Sequence, residues 1–258
     1  MNDLWEDILK APLPGRVNKP RTQGITMIID KGLSVYEIRN FLEMNAPFID
    51  FIKLSFGTTV LYKSETLRDK IQTALEYGIP IYPGGTLFEI ALWQSQSLPY
   101  FRKLAELGFQ WVEISDGTLD ISKKQRAAAI HSALTCGLQV ITEVGKKDAS
   151  QQQDENISIE TALEDLSAGA CWVIIEARES GQGIGIYDGK GTIIDEKLTQ
   201  LSSALPIEKT IWEAPLKNQQ ARLINDFGPN VNLGNIPPSE ALALEALRLG
   251  YRSDTWKK

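Results

Sequence analysis

The chain has 258 residues, 43% of them hydrophobic and 23% charged, with a net charge of −6 at pH 7. Such a chain can bury a large core, which excludes wholesale disorder, and its acidity argues against a broad nucleic-acid-binding surface. No apolar run approaches the ~18 residues of a membrane-spanning helix, so no membrane association is expected. The length suits a single eight-fold α/β barrel of about 250 residues, although two ordinary domains also fit it.

The apolar pattern predicts an N-terminal arm over residues 1–20, with Pro12, Pro14 and Pro20, and then eight strand-plus-helix units over 21–258. Strand one falls at 24–29 and its helix at 35–44, where Val35, Ile38, Phe41 and Leu42 keep helical spacing. Strand two at 49–54 leads to a helix at 64–77, and strand three at 79–82 leads to helices at 87–94 and 98–107. Strand four at 110–114 is followed by a helix at 123–135 capped by Ser122, and strand five by a Gln-rich loop at 150–156 and a helix at 159–168. Strand six is placed at 171–177, its helix at 194–203, strand seven at 209–213 with a helix at 217–227, and strand eight at 231–233 with a helix at 238–249. Gly78, Gly108, Gly137, Gly169 and Gly250 stop helices at one end of the predicted barrel. The fold class expected is therefore a single (β/α)8 TIM-type barrel, α/β in class.

Most of the strand-like runs end in charge: Asp30, Lys53, Glu113 with Asp116, Glu143, Glu176 with Arg178, and Glu213. A carboxylate closing a buried run is costly without a partner. In an α/β barrel those strand ends are where chemistry sits. Glu113, Glu143 and Glu176 end consecutive strands, so their carboxylates should converge. Two arrangements relieve their repulsion: a divalent cation with oxygen ligands, usually Mg²⁺, or buried ion pairs with Lys53, Lys146 or Arg178.

Lys146 and Lys147 follow Glu143. One reading points one lysine into the barrel as a proton donor, its pKa lowered by neighbouring cations; the other is a solvated basic turn. Gly84 and Gly85, between a strand and a helix, offer backbone N–H groups to an anion or form a plain tight turn. The glycine-rich stretch at 181–191 is a phosphate clamp or a flexible loop, and it lacks the closing residues of a P-loop. The single histidine, His131, falls mid-helix, so histidine triads and histidine-ligated zinc are set aside. Cys136 and Cys171 have no metal-ligand spacing, and two unpaired thiols fit a reducing cytoplasm.

Several ordered motifs resemble one family. They are Lys19-Pro-Arg21, Lys53-Leu-Ser-Phe-Gly-Thr58, Pro83-Gly-Gly-Thr-Leu-Phe-Glu89, Val112-Glu-Ile-Ser-Asp-Gly117, Glu143-Val-Gly-Lys-Lys147, Glu176-Ala-Arg-Glu-Ser-Gly181, Trp212-Glu-Ala-Pro215 and Asn230-Val-Asn-Leu-Gly-Asn235. Together they resemble the phosphosulfolactate synthase family from about residue 19 to 254. The resemblance implies a Mg²⁺-binding barrel that adds sulfite to phosphoenolpyruvate, giving (2R)-phospho-3-sulfolactate. It implies small anionic substrates, a cytoplasmic homo-oligomer, and a product leading towards coenzyme M in methanogens or sulfolactate in spore formers. Carried onto this chain, it implies Mg²⁺ held by Glu113, Glu143 and Glu176, and protonation of C2 by Lys146 or Lys147. Arg21, Lys53 and Arg178 would hold phosphate and ease the approach of sulfite. A Gly234-Asn235 loop after strand eight falls where barrels often bind phosphate. Two alternatives remain within the resemblance: a non-catalytic member of the plant heat-stress-associated type, or another metal-enolate enzyme acting on a phosphorylated acid.

Overall fold

The strands are short and nearly continuous in apolar character, as expected for strands buried on both faces. A computed structural model of the chain describes residues 5, 7–148 and 154–256. Its strands are β1 (Thr26–Asp30), β2 (Phe51–Leu54), β3 (Ile81–Pro83), β4 (Trp111–Ser115), β5 (Gln139–Val144), β6 (Trp172–Ile175), β7 (Thr210–Glu213) and β8 (Asn232–Ile236). All ladders are parallel, in the order β3-β2-β1-β8-β7-β6-β5-β4. β3 and β4 touch and bring the two edges together, but among the described residues no backbone ladder joins them.

The helices are α1 (Val35–Asn45), α2 (Ser64–Glu76), α3 (Thr86–Trp93), α4 (Ser97–Leu107), α5 (Lys123–Thr135), α6 (Glu155–Ala168), α7 (Asp195–Ala204), α8 (Lys217–Phe227) and α9 (Ala241–Arg248). The chain is a (β/α)8 TIM-type barrel. Ser34 and Ser122 start α1 and α5 with capping boxes. Gly108 and Gly169 end α4 and α6 in the left-handed conformation that favours glycine. Among the described residues no helix is long and apolar enough to cross a membrane.

Three boundaries differ from expectation by three residues or more. α6 starts at Glu155 because the Asp154 side chain accepts from the Asn156 N–H, so part of the predicted polar loop is helical. The part of that loop at 150–153 lies outside the described residues. β8 runs on to Ile236, so Gly234 and Asn235 are strand residues and not a loop. Pro237 and Pro238 break the last predicted helix, leaving a 3₁₀ turn at Pro238–Glu240 before α9.

One core lies between strands and helices, including Ile52, Leu54, Val112, Ile114, Val140, Val173, Trp212 and Leu233. A second fills the barrel itself: Met27, Phe51, Tyr82, Ile141, Trp172, Ile174 and Ile211, with Trp111 packed against it. Phe51 meets Trp111 and Trp172 edge to face, with ring centroids 5.0 and 5.7 Å apart. Each large side chain fully buried there contributes roughly 1.5–3 kcal/mol.

The segment before β1 is fastened to the lower end of the barrel, where the strands begin. Leu13 N–H donates to Leu249 O, Arg16 pairs with Glu245, and Lys19 donates to the carbonyls of Ala46 and Ile49. Arg21, expected at the substrate, lies on this lower face too. Its guanidinium binds both oxygens of Asp50 and the Phe48 carbonyl, at the opposite end from the strand C-termini.

Candidate active site

Side chains two residues apart on a strand share a face. Interior Phe51 therefore sends Lys53 inward, Trp111 sends Glu113 and Ser115, Ile141 sends Glu143, Trp172 and Ile174 send Glu176, and Ile211 sends Glu213. Lys53, Glu113, Glu143, Glu176 and Glu213 are 7% exposed or less. They line one cavity of about 230 Å³ at the C-terminal strand ends, with Ser55, Gly84, Gly85, Thr86, Lys147, Arg178 and Asn235.

Lys53 Nζ stands at the centre, 3.0 Å from Glu113 Oε2, 2.8 Å from Glu143 Oε2 and 3.3 Å from Glu213 Oε1. Burial opposes its charge, but Glu113, Glu143 and Glu213 overcome this and hold its pKa well above the ordinary lysine value. Lys147 reaches in from the loop after β5. Its Nζ donates to Thr86 Oγ1 at 3.3 Å and lies 3.2 Å from Glu143 Oε1 and 3.8 Å from Glu176 Oε2. Its pKa is raised: burial opposes the charge, and Glu143 and Glu176 outweigh both burial and the opposing Lys53.

That direction corrects the expectation that neighbouring cations lower the lysine. Lys146 turns away from the cavity, and its ammonium donates to the carbonyls of Asp116 and Leu119 at 2.7 and 2.9 Å and pairs with Asp120. One lysine faces the cavity and its neighbour clamps a turn.

The carboxylates differ in proton affinity. Burial pushes Glu113 up to about 7 against the pull of Lys53, with the Glu143 charge adding to the rise. Burial, then Glu143 and Glu213, hold Glu176 well above the carboxylate range. Glu143 goes the other way, because Lys147 and Lys53 outweigh its burial and keep it ionised.

Gly84 and Gly85 line the cavity, but their N–H groups are engaged. Gly84 donates to Leu54 O at 2.9 Å and Gly85 to Glu113 Oε1 at 2.6 Å. Gly85 is needed for close packing, since a Cβ there would stand 2.3 Å from Ser115 Oγ. Gly234 is likewise a packing glycine, its missing Cβ falling 2.4 Å from Met27 Cε. Asn235 does face the cavity, 3% exposed, with Oδ1 lacking a hydrogen bond. Arg178 is at the rim with φ 60°, donates to Lys147 O at 3.1 Å, and also lines an outer cavity of about 650 Å³.

Two residues of this machinery were not singled out as site residues from sequence. Glu213 ends its strand as the other acids do, and that shared pattern was the signal. Glu89 lies in the first turn of α3, a lone charge among Leu87, Phe88, Ile90, Ala91, Leu92 and Trp93, and that isolation was the signal; it accepts from the Ser115 hydroxyl beside the cavity.

The donor set suits a hard cation in chemistry: Glu113 Oε2, Glu143 Oε1 and Glu176 Oε2 are buried oxygens, and each faces an ammonium group, at 3.0, 3.2 and 3.8 Å. Two ammonium groups stand among them, and among the described residues no three acidic groups gather into an ion-sized cage.

The chain matches the family model of (2R)-phospho-3-sulfolactate synthase, ComA, over residues 14–254. It is 43% identical to the phosphosulfolactate synthase of Methanothermobacter thermautotrophicus, covering 95% of this chain and 96% of that one. With the phosphosulfolactate synthase of Bacillus subtilis it shares 41% identity over 99% of both chains. Protein HEAT-STRESS-ASSOCIATED 32 of Arabidopsis thaliana is more distant, 23% identical over 90% of this chain and 88% of its own. Among solved structures, 3-hexulose-6-phosphate synthase from Salmonella typhimurium superposes with a TM-score of 0.58 at 12% identity, over 88% of this chain and 100% of that one, a likeness of fold alone. The chain belongs to the (2R)-phospho-3-sulfolactate synthase family, a family of enzymes.

Proposed function

We propose that this protein adds sulfite to phosphoenolpyruvate and forms (2R)-phospho-3-sulfolactate. The observation that carries the reading, beside the family, is the pair of ammonium groups of Lys53 and Lys147 inside one carboxylate-walled cavity at the strand ends. Both reactants are anions, and fixed cations in a poorly hydrated pocket offset their repulsion.

In this reaction the sulfur lone pair of sulfite forms a bond to C3 of phosphoenolpyruvate. The C2–C3 π pair moves onto the carboxylate, and the resulting aci-anion takes a proton at C2. Lys53, fixed by three glutamates, faces the growing negative charge. Lys147 is the proton donor, because it alone of the two adjacent lysines lines the cavity. Its raised pKa keeps it charged as the substrate arrives, and the aci-anion is basic enough to take its proton. Arg178 and Asn235 hold the phosphate, whereas Arg21 and the amides of Gly84 and Gly85 are committed elsewhere. Glu113, Glu143 and Glu176 would hold Mg²⁺ only by drawing together and exchanging the Lys53 and Lys147 ammonium groups for the ion; its charge there would neutralise the substrate carboxylate as electrons gather on it.

The test is direct. Purified protein is incubated with phosphoenolpyruvate and sulfite, with Mg²⁺, Mn²⁺ or a chelator, and followed by phosphorus NMR. Phosphosulfolactate should form with Mg²⁺ and fade with chelation. Its absence under every divalent metal rejects the reaction, and undiminished turnover with chelator rejects the metal.

A further inference from the structure

Glu89 is 2% exposed, and both of its oxygens are engaged. Oε1 accepts from the Ser115 hydroxyl at 2.6 Å, and Oε2 accepts from the backbone N–H groups of Thr118 and Leu119 at 2.7 and 2.8 Å. Three donors from the end of β4 and the turn beyond it are thus tied to α3, an element of the preceding βα unit. A buried carboxylate without such partners would be costly.

Lys147 rests on that turn. Its backbone N–H donates to Gly117 O at 3.0 Å. Its stem lies across Gly117, where an added Cβ would stand 2.9 Å from both Cδ and Cε and 3.0 Å from Cγ. Gly117 is not among the residues with positive φ, so its backbone does not call for glycine. What the position requires is bare space under the lysine. Lys146 grips the same turn from the other side, through the carbonyls of Asp116 and Leu119. At the tip of the stem, Thr86 Oγ1 accepts from Lys147 Nζ and Glu89 Oε1 stands 3.8 Å away. Thr86 and Glu89 are three residues apart on one helix and share a face.

We propose that Glu89 is a positioning residue for the reaction, fixing the 115–119 turn so that Gly117 forms the bed along which Lys147 reaches the cavity. This rests on the assignment of Lys147 as proton donor. An anchor serving stability alone would not account for the bare glycine beneath the lysine stem. A shift of about 1 Å in a reacting group can lower a rate on the order of a hundredfold.

Glu89→Gln, Glu89→Asp and Gly117→Ala test it. Three quantities are read: kcat and KM for phosphoenolpyruvate in the sulfite reaction, the thermal unfolding midpoint, and the labelling rate of Lys147 by acetic anhydride at one pH, from peptide mass spectrometry. Glu89→Gln keeps the size but leaves one acceptor oxygen for three donors and removes the charge facing Lys147. Its kcat should fall roughly ten- to hundredfold with little change in KM, and Lys147 should be labelled several-fold faster while other lysines are unchanged. Glu89→Asp still offers two oxygens and should recover part of the turnover. Gly117→Ala leaves Glu89 intact, should lose kcat and gain Lys147 labelling in the same way, and decides the matter if Glu89→Gln does not fold. Wild-type kcat in Gly117→Ala overturns the proposal. So does a Glu89→Gln loss that matches its unfolded fraction with Lys147 labelling unchanged. Should the wild-type protein form no phosphosulfolactate, the reaction assignment fails separately and labelling alone decides Glu89: faster labelling in both variants supports it, unchanged labelling overturns it.

Discussion

The lower and upper interiors of the barrel are built on the same strands, often two residues apart, and are opposite in kind. Below, Phe51, Trp111 and Trp172 close the barrel with aromatic edges and faces. Above, the same strands present Lys53, Glu113 and Glu176 to a cavity. The apolar end needs no partner beyond close packing. The charged end survives burial because each ammonium is surrounded by carboxylates whose repulsion it relieves. Stability and chemistry can therefore be separated along a single strand, and the period of two residues is what separates them.

Four measurements break or sharpen that contrast. The largest effect is expected at the charged end: Lys147→Met should lower kcat per folded molecule by about 10²–10⁴-fold in steady-state assays, and lower the thermal midpoint too, because Glu143 and Glu176 lose an ammonium that relieves their repulsion. A kcat per folded molecule close to the wild-type value would take the chemistry away from this end. The converse is Trp172→Ala, which should lower the unfolding free energy by roughly 3–5 kcal/mol in urea titrations while kcat per folded molecule stays at the wild-type value. Next is Gly234→Ala, which presses a methyl group against Met27 Cε and Ile211 Cγ2. Overpacking should lower stability by roughly 1–3 kcal/mol and leave KM for phosphoenolpyruvate unchanged; a raised KM would return Gly234 to the substrate site.

The smallest effect is a slope. Glu113 has an ordinary value of 4.5 and is pushed up to about 7 in the folded protein. Between those values the folded state holds the extra proton, so this contribution to stability is complete below the lower value and lost as pH rises through the upper one. Glu143, held low, contributes in the opposite sense, losing stability as pH falls. Urea unfolding at about pH 5 and about pH 8 should show a smaller decline for Glu113→Gln than for the wild type. An identical decline would mean that Glu113 is ionised throughout that range.

The fold was legible because its punctuation is strong. Apolar runs bounded by helix-ending glycines gave the eight strands, most bounds falling within two residues of those observed, as at β2 and β7. The convergence of Glu113, Glu143 and Glu176 followed from consecutive strand ends meeting at one rim of a barrel. What sequence does not carry is the direction a loop side chain takes. Lys146 and Lys147 look alike in the chain, and a single turn sends one to carbonyls and the other to the cavity. Arg21 looked like an anion ligand until Asp50 was found against it on the lower face. Glycines that make room for a neighbour, as Gly85 does for Ser115, are written the same way as glycines that cradle an anion. Gly234 and Asn235 read as a loop because both residue types favour turns, although inside the barrel the glycine makes room for Met27.

One joint of the cylinder differs from the rest. Where β3 meets β4 without a ladder, the edges are zipped by the Gly85 N–H on Glu113 and by Ser115 on Glu89. Every other stave is nailed to its neighbour by a row of amide–carbonyl bonds, so a small gape at this seam breaks only a few contacts. Any opening of the mouth is cheapest there, and the seam lies beside Lys147, the proton donor of the proposed reaction.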